Sequence, residues 1–276
     1  MRIAIIADIH GNLPALEAAL ERIEQLRPDR LVVAGDIGVG GPDIAACWTR
    51  VHALGCPVLR GNHERYIFDF GTPRARPEWA TARFGPVQWA VSQLGAAARA
   101  EMAALPIALR LPEAPDVVFV HGSPRSDCDL VFPYTPEEEL AEQFGGTAER
   151  LIVRAHNHYC GVRGWRGGKI VTVGSVGLPL DGTLQAQFTV IERGPATGED
   201  WRIEHHAVPY DVAAAVRRFR ESGYLDVAGP MAELYRREVA TAAFHVMPFL
   251  AFLRDAPRAG ELPLAEALAR YDARRG

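Results

Sequence analysis

Five short polar clusters recur along the chain: Asp8-Ile9-His10, Gly35-Asp36, Gly61-Asn62-His63-Glu64, His121-Gly122 and His156-Asn157-His158. They contain five of the nine histidines. Carboxylate, imidazole and amide are hard-to-borderline donors suited to Mn²⁺, Fe, Zn²⁺, Co²⁺ or Ni²⁺, and no cysteine accompanies them. One Asp-x-His alone is weak evidence, because a surface Asp beside a packed His is spelled the same way. Recurrence at five places gives the pattern its weight. In an extended segment residues i and i+2 point to one side, so Asp8 and His10 are expected to converge.

Each cluster follows a short apolar run, at residues 3–7, 31–34, 57–59, 117–120 and 151–153. Such runs read as buried strands that end in functional loops. Between the first two, Asn12-Leu13-Pro14 opens a helix carrying Leu16, Ala19, Leu20 and Ile23 at helical spacing and ending near Pro28. This β-α-β alternation implies an α/β layered domain whose ligands bind beyond the carboxyl ends of the strands. Residues 169–173, 185–192 and 202–208 read as further strands, the last two joined through a turn from Gly194 and Pro195 to Asp200 into an antiparallel hairpin. From Asp211 the spacing is helical: Val212, Ala215, Val216 and Phe219 share one face, and Met231, Leu234, Tyr235 and Val239 another after Pro230. The expected organisation is a main domain over residues 1–208 and a helical extension packed on it over 209–276.

A chain of 276 residues with 48% hydrophobic content can bury one large core. Its net charge of −4 comes from 34 acidic and 30 basic residues interspersed along the chain, so no long-range field favours nucleic acid or an anionic membrane. Lys169 is the single lysine, a compositional bias without functional content. Cys47, Cys56, Cys128 and Cys160 lack CxxC spacing and read as reduced thiols. The first apolar run is broken by Asp8, too early for a signal peptide, and no stretch of 18 apolar residues occurs, so a soluble cytoplasmic protein is expected. His205-His206 in the hairpin, His52 and His245 on helical segments, and Cys160 beside His158 read as structural.

The clusters, in their order, resemble the calcineurin-like metallophosphoesterases, whose pattern is DxH, GDxxxxGP, GNH[DE], a later H, and GHxH. Here those motifs are Asp8-Ile9-His10, Gly35-Asp36 through Gly41-Pro42, Gly61-Asn62-His63-Glu64, His121 and Ala155-His156-Asn157-His158. The stretches Gly174-Ser175-Val176-Gly177-Leu178-Pro179 and Val208-Pro209-Tyr210-Asp211 are similar to a small bacterial and archaeal phosphodiesterase-like branch. The resemblance implies a four-layer αββα sandwich of two mixed β-sheets flanked by helices, with residues 1–208 as the catalytic domain. It also implies two divalent metal ions, manganese foremost, one held by Asp8, His10, Asp36 and His158 and the other by Asp36, Asn62, His121 and His156. Asp36 would bridge them, a hydroxide shared by the pair would attack phosphorus, and His63 would assist the leaving group.

Two departures from the pattern matter. Ala155 and Asn157 replace the Gly and Thr of GHxH, which Ala tolerates unless the backbone needs a positive φ and which Asn can offset by hydrogen-bonding nearby backbone. Protein phosphatases of this superfamily carry GDxxDRG, with a second Asp behind the catalytic His and an Arg on the phosphate; here those positions are Val39 and Gly40. A phosphoric ester hydrolase acting on small phosphodiesters, nucleotide-type ones included, is therefore expected ahead of a phosphomonoesterase or protein phosphatase. Arg125, just after the His121 loop, is a candidate phosphate contact. A non-catalytic scaffold of the same fold ranks last because His63 and every ligand are present, a nuclease is disfavoured for want of a basic groove, and homo-oligomerisation stays open.

Overall fold

The computed structural model describes residues 1–194, 200–256 and 259–274. The first β-α-β unit comprises β1 (Arg2–Ile6), α1 (Leu13–Leu26) and β2 (Arg30–Val33). Asn12 caps α1 by accepting from the Ala15 N–H at 3.3 Å, and Pro14 occupies its first turn. Next come helices α2 (Ile44–His52), α3 (Asn62–Asp69), α4 (Gly85–Gln93) and α5 (Ala96–Ala104). Strands β3 (Ala108–Leu111) and β4 (Ala114–Val120) lead to α6 (Glu137–Phe144), then to β5 (Leu151–Arg154), β6 (Cys160–Trp165), β7 (Gly168–Val173), β8 (Gln185–Glu192) and β9 (Arg202–Pro209). After β9 come α7 (Val212–Glu221), α8 (Tyr224–Thr241), α9 (Val246–Asp255) and α10 (Leu264–Ala273).

The strands form two mixed sheets, ordered β2-β1-β8-β9 and β3-β4-β5-β7-β6. β1 runs parallel to β2 and antiparallel to β8, while β4, β5 and β7 are parallel with antiparallel edges β3 and β6. Strand parity sorts the side chains into layers. Ile3, Ile5 and Ala7 of the first strand face Val117, Phe119, Leu151 and Val153 across the space between the sheets. Ala4 and Ile6 point the other way, onto α1 and the helices beside it. On the far side Val118, Val120 and Ile152 meet Leu140 and Phe144 of α6. The fold is thus a four-layer αββα sandwich. A one-residue register slip in β1 would exchange Ile3 and Ile5 with Ala4 and Ile6 between the two cores, a cost in misfit packing and not in exposure.

Residues 57–59 do not form a regular strand; Val58 makes a lone parallel bridge to Val33. The expected turn from Gly194 to Asp200 runs through residues 195–199, which lie outside the described residues. The flanking β8 and β9 do pair antiparallel from Gln185↔Pro209 to Glu192↔Arg202. Two edge strands, β3 and β6, carry no sequence signal: β3 follows Pro106 and has only four residues, and β6 contains two glycines. Helix α8 is interrupted at Gly229 (φ 66°), and Pro230 restarts it. The four cysteines are free thiols.

Candidate metal centre

The polar clusters meet at the carboxyl ends of β1, β2, β4 and β5, joined by the N-terminus of α3. Asp8, His10, Asp36, His156 and His158 all have positive φ, between 51° and 69°. Non-glycine residues in this left-handed region cost about 1–3 kcal/mol each and persist only where their surroundings over-determine them. Asp8 and His10 therefore converge through a left-handed turn, not through the pleat of an extended strand. Backbone bonds impose that turn: the N–H groups of Asp8, Ile9 and His10 donate to Gly35 O (3.1 Å) and Asp36 O (2.8 and 3.0 Å). Ala155 is not among the positive-φ residues, so the exchange of Gly for Ala is accommodated.

Glu64 clamps two of the loops together. Fully buried, it accepts from the N–H groups of Gly61 (2.7 Å), Asp36 (2.8 Å) and Ile37 (2.8 Å). Gly61 packs so closely on the Asp36 carboxylate that a Cβ there would collide with Oδ1. The His63 N–H then donates to that same oxygen at 2.9 Å.

Three imidazoles are oriented by carbonyls. His10 Nδ1 donates to Val39 O (2.7 Å), His121 Nδ1 to Ala34 O (2.8 Å) and His158 Nδ1 to Leu178 O (2.7 Å). In the neutral rings of His10 and His158 each Nε2 thereby becomes a lone pair aimed inward, whereas His121, despite its burial raised to about 9 by the Asp36 and Asp8 carboxylates, turns a protonated Nε2 toward Asp36. His121 Nε2 lies 3.3 Å from Asp36 Oδ2, His158 Nε2 lies 3.5 Å from Asp8 Oδ1, and His10 Nε2 lies 4.0 Å from Asp36 Oδ2. His156 completes a group with Asp36 and His121, and its N–H donates to Asp8 Oδ2 at 3.1 Å. Asp8, His10 and His158 form another group, and His10, Asp36 and His63 link the two. In each, the donor atoms lie within 4.8 Å of one another.

The donor set fits cations. His10 Nε2 and His158 Nε2 face each other at 3.0 Å with both Nδ1 atoms already donating, so neutral rings present lone pair to lone pair. Burial holds both rings neutral, lowering His158 to about 4 and His10 well below the ordinary histidine range. It also pushes the Asp8 carboxyl up to about 8, even against His121 nearby. Asp8 Oδ1 and Asn62 Oδ1 are buried without a hydrogen-bond partner among the described residues, and His121 Nε2 faces the Asp36 carboxylate. Orphaned lone pairs of this kind are costly unless a cation is bound.

The segment Gly174-Ser175-Val176-Gly177-Leu178 braces these loops, a role not legible beforehand. Its Val176 N–H donates to Ala7 O (2.9 Å), and Ser175 Oγ donates to Asp8 O (2.8 Å) while accepting from the Leu178 N–H (2.8 Å). Asn12 Nδ2 donates to Gly177 O at 2.8 Å, and Ile9 O leaves no room for a Cβ at Gly177. Asn157 Oδ1 accepts from the Val131 N–H (3.2 Å) and from Arg154.

Several residues considered from sequence lie elsewhere. Arg125 pairs with Asp129 at 2.9 Å and approaches Glu142, away from the cavity beside the centre. Arg154 is fully buried and donates to the carbonyls of Gly122 and Asp129. His206 stacks on Phe188, with ring centroids 4.8 Å apart, and His205 contacts Thr189, both remote from the cluster. The Cys160 thiol, pushed up to about 12 by burial, sits against Val173 O and Gln187. Position 40 faces the ring of His10 and Tyr235 of α8; with φ at 123° and a prospective Cβ only 3.2 Å from His10 Cβ, it suits glycine and not a long cationic side chain.

A cavity of about 460 Å³ opens on the centre. His63, 14% exposed, stands on its wall with Nδ1 3.2 Å from Gly38 O. The lining also includes Tyr235, Glu238, Phe244, Val246 and Met247, all from beyond β9.

Residues 1–160 match the family model for calcineurin-like phosphoesterases. The chain belongs to that family. A metallophosphoesterase from Sphaerobacter thermophilus shares the fold with a TM-score of 0.68 at 27% identity, covering 88% of this chain and all of that one. A hypothetical protein from Pyrococcus horikoshii superposes with the same TM-score at 20% identity, over 85% and 97% of the two chains. An uncharacterised protein of Methanocaldococcus jannaschii is 25% identical over 236 residues, 78% of this chain and 90% of that protein. Among the described residues, no helix is long and apolar enough to cross a membrane.

Proposed function

We propose that the protein hydrolyses small phosphodiesters with two divalent cations, one held by Asp8, His10, Asp36 and His158 and the other by Asp36, Asn62, His121 and His156. The observation that carries this reading is the convergence of inward-facing, unpartnered donors on Asp36, with the His10 and His158 lone pairs 3.0 Å apart. Cations there would supply Lewis acidity toward the phosphoryl group and an activated water. The protein's own part is to fix that geometry, through carbonyls that orient three imidazoles and through Glu64, which locks the Asp36 and Gly61 loops.

His63 would act on the leaving group. With Nδ1–H directed at Gly38 O, the imidazolium form carries its second proton on Nε2 and would pass that proton to the departing oxygen, and the ring's partial exposure on the cavity wall gives that oxygen access. A backbone carbonyl thus supports His63 where protein phosphatases use an Asp.

The absence of Arg at position 40 favours a diester. A dianionic monoester on a protein surface needs cationic grip beyond the metals, and among the described residues no Lys or Arg lines the cavity. A monoanionic diester needs less. The test is kcat/KM of Mn²⁺-loaded protein for an aryl diester, the matching monoester and a phosphopeptide. The diester is expected to lead; a phosphopeptide favoured by tenfold or more would overturn the assignment.

A further inference from the structure

The cavity that opens on the metal centre is walled by Leu130, Phe132, Leu178, Leu180, Phe244 and Met247. We propose that it takes an uncharged, apolar ester substituent of the substrate, alkyl or aryl, in preference to a sugar, a nucleotide or a further phosphate. This assignment rests on the phosphodiesterase reading and narrows it to a substrate class.

Three observations carry it. Leu130, Phe244 and Met247 are 42%, 49% and 60% exposed, so three of the large hydrophobics that the described fold leaves in water gather at one mouth. That mouth is continuous with His10, Asp36, His63, His156 and His158, so a substituent on a phosphorus at the metals extends straight into it. The acidic groups on its wall are Asp36 and Glu238, and among the described residues no Lys or Arg accompanies them. Beyond the metal site a second anionic group on the substrate would therefore find no cationic side chain to pair with, and a sugar would surrender much of its hydration against the apolar side chains. An apolar chain would gain instead about two- to fourfold in affinity per methylene buried.

Hydrolysis replaces one P–O bond to an alkoxide or aryloxide by a P–O bond from water, the proton going to the leaving oxygen, so the substituent departs as an alcohol or remains on the monoester. Either way its recognition can be read without turnover. The experiment is calorimetric titration of Mn²⁺-loaded protein with methyl-, butyl-, octyl- and phenylphosphonate and with uridine 5′-monophosphate, run on wild type, Met247→Asp and Phe244→Asp. Thermal melts establish that each variant is folded, and bis(4-nitrophenyl) phosphate turnover is measured in parallel. The expected result is octylphosphonate binding at least tenfold tighter than methylphosphonate with a negative heat-capacity change, and loss of that gradient in both variants. The phenyl arm compared with the octyl arm distinguishes an aryl from a lipid-like source. A flat series, a gradient that survives both substitutions, or uridine monophosphate outbinding octylphosphonate would overturn the assignment while leaving the hydrolase reading intact if the diester is turned over. A gradient without any phosphoester turnover would overturn the hydrolase reading and, with it, the cavity's role as a substrate pocket.

Discussion

Asp36 and His63 are neighbours in different surroundings. The Asp36 carboxylate is 1% exposed and has His10, His63, His121 and His156 around it, whereas His63 keeps 14% of its side chain exposed on the cavity wall. Replacing His63 by Ala is expected to leave the metal content unchanged and to lower kcat by on the order of 10²–10⁴. The loss should be smaller for activated aryl esters than for alkyl esters, since an aryloxide leaves with less help. Metal analysis beside kcat for both ester types checks this, and equal losses for both or lost metal would make His63 structural. The ligand-type residues were legible because Asp, Asn and His recur after apolar runs. What was not legible is how they converge: nothing in the identity of Asp8, His10, Asp36, His156 or His158 announces a left-handed backbone, and that conformation is imposed by bonds from distant loops. Glu64 and Ser175 escaped notice as positioning residues for the same reason, since a carboxylate accepting three backbone N–H groups is spelled like any surface Glu.

Among the elements, α8 and α9 decide the shape of the cavity. Glu238 of α8, 2% exposed, accepts from the N–H groups of His245 and Val246 at 2.8 Å each and so fixes the connection into α9 that carries Phe244 and Met247. Burial raises its carboxyl from 4.5 to about 7. The folded chain then holds a proton that the unfolded chain releases first, so this stabilisation is full below about pH 4.5 and is lost as pH rises through about 7. Glu238→Gln keeps a carbonyl acceptor and cannot ionise. Its Tm is expected to gain on wild type between about pH 4.5 and 7, the interval between the ordinary and the raised carboxyl; parallel melting profiles across that interval would contradict the account. Amphipathic spacing revealed α7 and the second half of α8, because Ala215, Phe219, Met231 and Leu234 do pack inward. It could not reveal β3 or β6, where few residues, edge position and glycines erase the alternation, and it over-read residues 57–59, whose apolar run supports a single bridge.

For the whole molecule, the helices after β9 share cores with the sandwich and also build their own. Ala215, Phe219, Tyr224, Ala228 and Val239 pack into the same cluster as Leu16, Leu20, Val87 and Trp89, while Phe249, Leu253, Leu268 and Tyr271 close a separate one with Met231 and Leu234. A chain ending at Pro209 is therefore expected to expose the outer face of α1 and α4 and to lose soluble, cooperatively melting protein. Soluble yield and a thermal melt test this, and a folded truncation with an unaltered substrate profile would contradict it. The order of layers followed from the family resemblance and not from periodicity, which identifies strands but not how two sheets face each other. The measurement that tests the central claim most directly is elemental analysis of Mn²⁺-reconstituted protein and its Asp36→Asn variant, because only a carboxylate shared between two ligand sets makes both ions depend on one residue. About two ions per chain in the wild type, falling to one or fewer in the variant, is the predicted result; a single ion in the wild type, or full occupancy in Asp36→Asn, would contradict it.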